Sequence, residues 1–391
     1  MKKSVLYPIA ATAILFTSGF LAWAFSRHGT YGLVHVESFF RSIFIGLGVL
    51  GAVLLVLFLL YAWLKRKRQS GGFRALAVPV MILAVLLIII PAFAFIYLNG
   101  MTSEKAGDIY LPLIAISNTG SKALHIAVSS DAHYGAGTNR PDLTAQMLDR
   151  ISSPDKGYDG FFFLGDLVEN GFQGINWKAA LQALTPTTST VPTVFAAGNH
   201  DTLFAGLDNF KKYCRRAGPD PQSGTQLWQR IDAGKIHFLI LDIEWSAESY
   251  TNQQAAWLEE QLKSIPADDW KIVMNHGFYY ASGSVVGSWR WYDNPETIEA
   301  LTPLFETYGV NMVFSGHNHQ LELLEKSGVT YVICGGFGGL PDPIRTYTSP
   351  SSLWYAGGVY GFADVTINEE EANILFRDPD NNILKSFTVP K

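Results

Sequence analysis

Five short blocks of the chain share one chemical character. They are Asp131-Ala-His133, Gly165-Asp166, Gly198-Asn199-His200-Asp201, Asn275-His276 and Gly316-His317-Asn318-His319, and each sets imidazole, carboxylate or amide groups side by side. Of the 9 histidines in the chain, five fall in these blocks. The donors are nitrogen and oxygen without thiolate, which suits Mn, Fe, Zn or Co at a catalytic site better than a Cys-rich structural zinc. A cation held by such donors lowers the pKa of a bound water and polarises substrate oxygens. Taken singly, each block also reads as a turn, a helix cap or a satisfied structural histidine. Taken in series, they read as one site.

A site assembled from five distant blocks needs a scaffold that brings them together. An apolar, strand-like run precedes each block: Ile126-Ala-Val, Phe161-Phe-Phe-Leu, Val194-Phe-Ala-Ala, Lys271-Ile-Val-Met and Met312-Val-Phe-Ser. Strands are predicted over 124–129, 160–164, 193–197, 236–241, 271–275, 310–314, 329–333 and 359–367. Helices are predicted over 141–151, 177–184, 207–217, 252–264 and 295–308. Strands apolar on both faces, alternating with helices, give an α/β architecture. In open α/β sheets the carboxyl ends of the strands line the ligand crevice, where all five blocks would meet. Flanking glycines permit tight turns and close backbone approach.

These blocks resemble those of the calcineurin-like metallophosphoesterases, with the pattern D-x-H, G-D, G-N-H-[DE], a lone His and G-H-x-H over roughly residues 124–340. The resemblance implies a two-sheet αββα sandwich and a metal-dependent phosphoric ester hydrolase with two divalent or mixed-valence transition-metal ions. It implies that Asp131, His133 and His319 hold one ion, that Asn199, His276 and His317 hold the other, and that Asp166 bridges them. His200 would face the substrate, oriented by Asp201, while a metal-bridging hydroxide attacks phosphorus. Purple acid phosphatases carry a Tyr iron ligand where Glu169 stands here, and their first block lacks a counterpart of His133. The chain therefore looks closer to phosphodiesterase-like members.

The first 98 residues have another character. Three apolar runs, 4–25, 39–64 and 75–98, are each long enough to cross a ~30 Å hydrocarbon core as a helix. This all-α anchor (1–98) would lead through a linker with an edge-strand candidate (99–123) into the phosphoesterase domain (124–391). Lys2 and Lys3 precede the first run, and Lys65, Arg66, Lys67, Arg68 and Arg74 separate the second from the third. By the positive-inside rule the amino terminus and the 65–74 loop are cytoplasmic, and the catalytic domain is extracytoplasmic. Ala22-Trp23-Ala24 could also be read by a signal peptidase, which would leave two spans and the same orientation. Gly46, Gly48 and Gly51 spell a dinucleotide-binding pattern, but its strand, helix and acid are missing; Gly48 and Ala52, at i and i+4, suit close helix packing instead.

The formal net charge of −5 is the sum of +8 over residues 1–98 and −13 over the remainder. An acidic domain argues against nucleic acid as a partner. The expected activity is a membrane-anchored two-metal phosphoesterase acting on diesters. A phosphomonoesterase or pyrophosphatase using the same site is the first alternative, and an inactive sensor on the same scaffold the second. Phe278, Tyr279, Tyr280, Trp289, Trp291 and Tyr292, with Arg290, would lie near the metal mouth, either as an aromatic lid for a lipid-linked leaving group or as ordinary loop packing. His125 and His237 lie inside strand runs and read as structural, and Cys214 and Cys334 as two independent buried thiols.

Overall fold

The computed structural model describes residues 123–203, 206–214, 225–286 and 289–391. Two sheets face each other. The first has the order β15-β14-β13-β1-β2-β3 and the second β12-β10-β11-β9-β6-β5-β4. In the first, β1 (Leu124–Ser129), β2 (Gly160–Leu164) and β3 (Thr193–Ala196) run parallel. β13 (Phe362–Ile367), β14 (Glu371–Arg377) and β15 (Ile383–Pro390) extend that sheet antiparallel. In the second, β5 (Ile236–Ile240), β6 (Trp270–Met274), β9 (Met312–Ser315) and β11 (Val329–Cys334) are parallel. The remaining strands of that sheet, β4 (Gln229–Ala233), β10 (Gln320–Lys326) and β12 (Ser352–Gly357), pair antiparallel.

Alternation along each strand builds three apolar layers. Ile126, Val128, Phe162 and Leu164 of the first sheet meet Phe238, Ile240, Ile272 and Met274 of the second between the sheets. The opposite faces, Ala127, Phe161 and Phe163, pack under α1 (Pro141–Ser152) and α2 (Gly174–Thr188). Leu239, Val273 and Val313 pack under α5 (Asn252–Ser264) and α6 (Pro295–Tyr308). The result is the αββα sandwich expected from the sequence. Fully burying one such phenylalanine contributes about 1.5–3 kcal/mol, which is why a strand as apolar as β2 belongs in the middle of a sheet.

Capping residues explain why two helices fall where the sequence places them. Thr251 caps α5 by accepting from the Gln254 amide, and Asn294 caps α6 by accepting from Thr297 ahead of Pro295. Gly309, at φ 63°, stops α6 in the left-handed region. Two further helices are α3 (Asn199–Thr202) and α4 (Gly206–Tyr213), and a short hairpin pairs β7 (Val285–Val286) with β8 (Trp289–Arg290). The expected strand at 359–367 begins only at Phe362. β4, β10, β12, β14 and β15 were not expected as strands. β15 alternates exposed and half-buried positions, so no apolar run marks it. Among the described residues no helix is long and apolar enough to cross a membrane. The three apolar runs and the 99–122 stretch lie outside the described residues.

Candidate active site

All five blocks sit where their strands end, β1, β2 and β3 from one sheet and β6 and β9 from the other. Asp131, His133 and His319 form the first cluster. His133 Nδ1 bonds to Glu169 Oε2 at 2.9 Å and His319 Nδ1 bonds to the Leu340 carbonyl at 2.5 Å. Each bond places the ring proton on Nδ1 and leaves Nε2 as a lone pair. The two Nε2 atoms nonetheless lie 3.0 Å apart. Asp131 Oδ1 lies 3.3 Å from one and 3.7 Å from the other, buried and without a hydrogen bond.

Asp166, His276 and His317 form the second cluster, joined by Asn199. His276 Nδ1 bonds to the Leu164 carbonyl at 2.7 Å, so its Nε2 points inward. That atom lies 3.3 Å from Asp166 Oδ2, 3.1 Å from Asn199 Oδ1 and 3.3 Å from His317 Nδ1. Asp166 Oδ2 is also 3.6 Å from His133 Nε2, so one carboxylate oxygen faces both clusters. Its Oδ1 accepts from the His200 amide at 2.8 Å. All seven residues expected as metal ligands are thus brought together, in the two groups expected.

The backbone is bent to achieve this. Asp131, His133, Asp166 and His317 have φ of 67°, 48°, 52° and 69°, a region that costs a non-glycine residue about 1–3 kcal/mol in strain. Gly165 (φ 89°) and Gly198 approach each other closely. A Cβ on Gly165 would stand 2.7 Å from both the Gly198 backbone and His276 Nδ1.

The expected pairing of His200 with Asp201 gives way to a different arrangement. Asp201 is the third residue of α3, and its carboxylate reaches back to accept from the Gly198 and Val168 amides, both at 3.1 Å. Consecutive residues on a helix point about 100° apart, so Asp201 and His200 face different ways. The His200 ring is fixed by Glu169, whose carbonyl takes Nδ1 at 2.7 Å and whose Oε2 is 3.7 Å away. Glu169 therefore serves both His133 and His200. In the sequence it stood out only as a replaced tyrosine; an acid three residues after Asp166 was the available signal.

The 278–292 stretch divides. Phe278 and Tyr279 are core, and Tyr280 packs edge-on against Tyr331. Tyr292 stacks on Tyr347, and the Arg290 guanidinium lies 5.7 Å from the Tyr292 ring centre. Trp291 alone of the described rings in that stretch beyond Phe278 reaches the site, stacking on His317. The turn after β11 also arrives there, through Gly339, whose amide bonds to the Asp131 carbonyl at 2.8 Å. His125 bonds to Asp364 at 2.6 Å and His237 to Asp232 and Asp269, so both are structural. Cys214 and Cys334 are both buried.

The donor set fits two cations. Where inward-facing lone pairs crowd together, either a metal ion or protons must separate them. Protonation of His276 accordingly runs high: burial opposes its imidazolium, yet Asp166 and Asp131 hold it up to about 9. His133 is raised in the same way against burial by Asp131 and Glu169, and His319 by Asp131. Burial opposes ionisation of Asp131 and Asp166 as well, but His276 and its neighbours hold both below the usual carboxylate range.

Comparison with known proteins points the same way. The family description "Calcineurin-like phosphoesterase" matches residues 124–321. A barley nucleotide pyrophosphatase/phosphodiesterase is 23% identical over 279 residues, covering 62% of this chain and 74% of that protein. Purple acid phosphatase 23 of Arabidopsis thaliana is 31% identical over 180 residues, 42% of this chain and 38% of that one. A probable inactive purple acid phosphatase of the same plant is 25% identical over 60% of this chain and 44% of its own length. The chain thus spans under half of several curated relatives it matches. Among solved structures, a purple acid phosphatase from yellow lupin seeds superposes with a TM-score of 0.58 at 20% identity, over 69% of this chain and 54% of that one. At that identity the likeness speaks for the fold alone. Five strand ends bearing imidazole, carboxylate and amide groups on an αββα sandwich, with a family match over half the sequence, place this chain in the calcineurin-like phosphoesterase family.

Proposed function

We propose that the protein is a two-metal phosphoesterase. The observation that carries this reading is Asp166 Oδ2, a single carboxylate oxygen facing the inward nitrogens of both clusters. Asp131, His133 and His319 would hold one ion, Asn199, His276 and His317 the other, and Asp166 both. When bound, the ions supply electrophilic charge for the phosphate oxygens and a nucleophile at neutral pH. The chain's own residues do the rest. Leu164, Glu169 and Leu340 fix the tautomers of the inward histidines. His200, its Nδ1 tied to the Glu169 carbonyl, offers Nε2 to the substrate. It can stabilise charge on phosphorus or protonate the leaving oxygen.

Diester hydrolysis is the preferred activity. Glu169 in place of a tyrosine and the presence of His133 support it, as does the similarity to a protein named as a phosphodiesterase. The purple acid phosphatase relatives favour monoesters as the second reading. Every ligand position is filled, which speaks against an inactive scaffold. The apolar, basic first 98 residues support a membrane anchor with the catalytic domain outside the cytoplasm and access to lipid-linked esters. The test is hydrolysis of bis(p-nitrophenyl) phosphate and p-nitrophenyl phosphate by the full chain, chelated and then supplied with Mn, Zn or Fe. Metal-restored activity abolished by Asp166→Ala and His276→Ala is expected. Activity indifferent to chelation and to both substitutions overturns the two-metal reading, and faster monoester turnover overturns the diester preference.

A further inference from the structure

His317 is held differently from the other three histidines. His133, His276 and His319 each commit Nδ1 to a carboxylate or carbonyl and turn Nε2 inward. His317 turns Nδ1 itself inward, 3.0 Å from Asn199 Oδ1 and 3.3 Å from His276 Nε2. An orienting bond at Nδ1 is therefore closed to it. Aromatic faces pack around its ring. Phe278 lies parallel on one contact, with centroids 5.6 Å apart and planes at 8°, and Trp291 on another, at 5.1 Å and 13°. Trp245 meets the ring edge-on at 4.1 Å and 81°, and packs edge-on against Trp291 at 5.2 Å.

Two features show that Trp291 is placed for its ring. Its Nε1 is buried without a hydrogen-bond partner, although a buried indole ordinarily finds one. Its backbone is pinned at both ends: the amide donates to the Ser284 carbonyl at 3.0 Å and the carbonyl accepts from Asn318 Nδ2 at 3.0 Å. Asn318 is the residue after His317, so one loop carries both the ring and the bond that seats its clamp. Resting on the two-metal reading, we infer that Trp291 is a positioning residue. By stacking on His317 it holds Nδ1 at the second ion's position and sets that ion's affinity independently of the first. Removing a residue that orients a metal ligand typically weakens the metal 10–100-fold.

The test compares Trp291→Leu, which keeps apolar bulk without a stacking face, with Trp291→Phe, which keeps the face. Calorimetric titration of the chelated full chain with Mn²⁺ reads affinity and stoichiometry, and quenching of tryptophan fluorescence by the paramagnetic ion gives a separate readout beside His317. Trp291→Leu is expected to weaken one of two ions at least 10-fold and leave the other within about threefold. Trp291→Phe should return the weakened ion most of the way. Two ions bound by Trp291→Leu as tightly as by the natural chain overturn the clamp and leave the two-metal reading standing. So does equal loss of both ions in the Leu and Phe variants alike. A natural chain that binds no ion overturns the two-metal reading itself.

Discussion

His133 Nε2 and His319 Nε2 face each other at 3.0 Å, and each ring has already given its Nδ1 proton to an acceptor. Two lone pairs at that distance repel, so the pair is stable only with positive charge beside it. Chelation is therefore expected to lower the melting temperature and metal addition to restore it. An ion at 100 times its dissociation constant stabilises by about 2.7 kcal/mol, or several degrees for a domain of this size. A melting temperature unmoved by chelation and readdition in a scanning calorimeter contradicts this.

Glu169 and Asp201 separate two roles that sequence proximity had merged. Glu169→Gln keeps the backbone carbonyl on His200 but takes the charge from His133 Nδ1, so metal affinity should fall about 10–100-fold while folding is retained. Asp201→Ala instead orphans the buried Gly198 and Val168 amides, and should lower unfolding free energy by about 1–3 kcal/mol. Urea titration and metal titration of both variants check this. An Asp201→Ala protein of natural stability would show that those amides find other partners.

The strand ends were legible because buried parallel strands are apolar throughout, and polar residues immediately after them stand out. β1 and β2 emerge with the expected bounds for that reason. The grouping of these residues came from the family resemblance, since spacing alone says nothing about which cluster a histidine joins. What stayed hidden depends on contacts distant in sequence or on local backbone geometry. Glu169 matters only because β2's loop folds back between His133 and His200, and Trp291 only because it packs on the loop after β9. Asp201 was misread because sequence adjacency suggests contact where helix geometry separates side chains. β10 escaped because Glu322, a wholly buried acid that accepts from Ser282 and Gln320, interrupts its apolar pattern.

Asp364 offers a pH test away from the site. Burial opposes its ionisation, but His125 and Arg377 beside it outweigh burial and hold the carboxyl below its ordinary value. A depressed carboxylate contributes stability above its unfolded pKa of about 3.9 and loses it as pH falls through the folded value. Asp364→Asn should cost about 2 kcal/mol at pH 7. The difference from the natural chain should shrink as pH drops below about 4. Urea midpoints at pH 7 and pH 3 that differ equally between the two proteins would exclude this origin.

His200 yields the most specific kinetic expectation. It lies beside both clusters, with its ring 4.6 Å centroid to centroid from His133, yet its Nδ1 bond is to the Glu169 carbonyl. Burial disfavours its charge, and the ring is lowered from its ordinary value even with Asp166 and Glu169 nearby. A histidine so poised is a stronger acid than usual once protonated, which suits proton delivery to a leaving oxygen. Removing such a group costs about 10²–10⁴ in rate, and the cost depends on how much the leaving oxygen needs the proton. His200→Ala should therefore slow alkyl esters by the full amount and p-nitrophenyl esters much less, with both ions still bound. Rates measured for a series of esters of rising leaving-group pKa should fall more steeply in the variant. Parallel slopes in the two enzymes would assign His200 to charge stabilisation on phosphorus, since that contribution does not follow the leaving group.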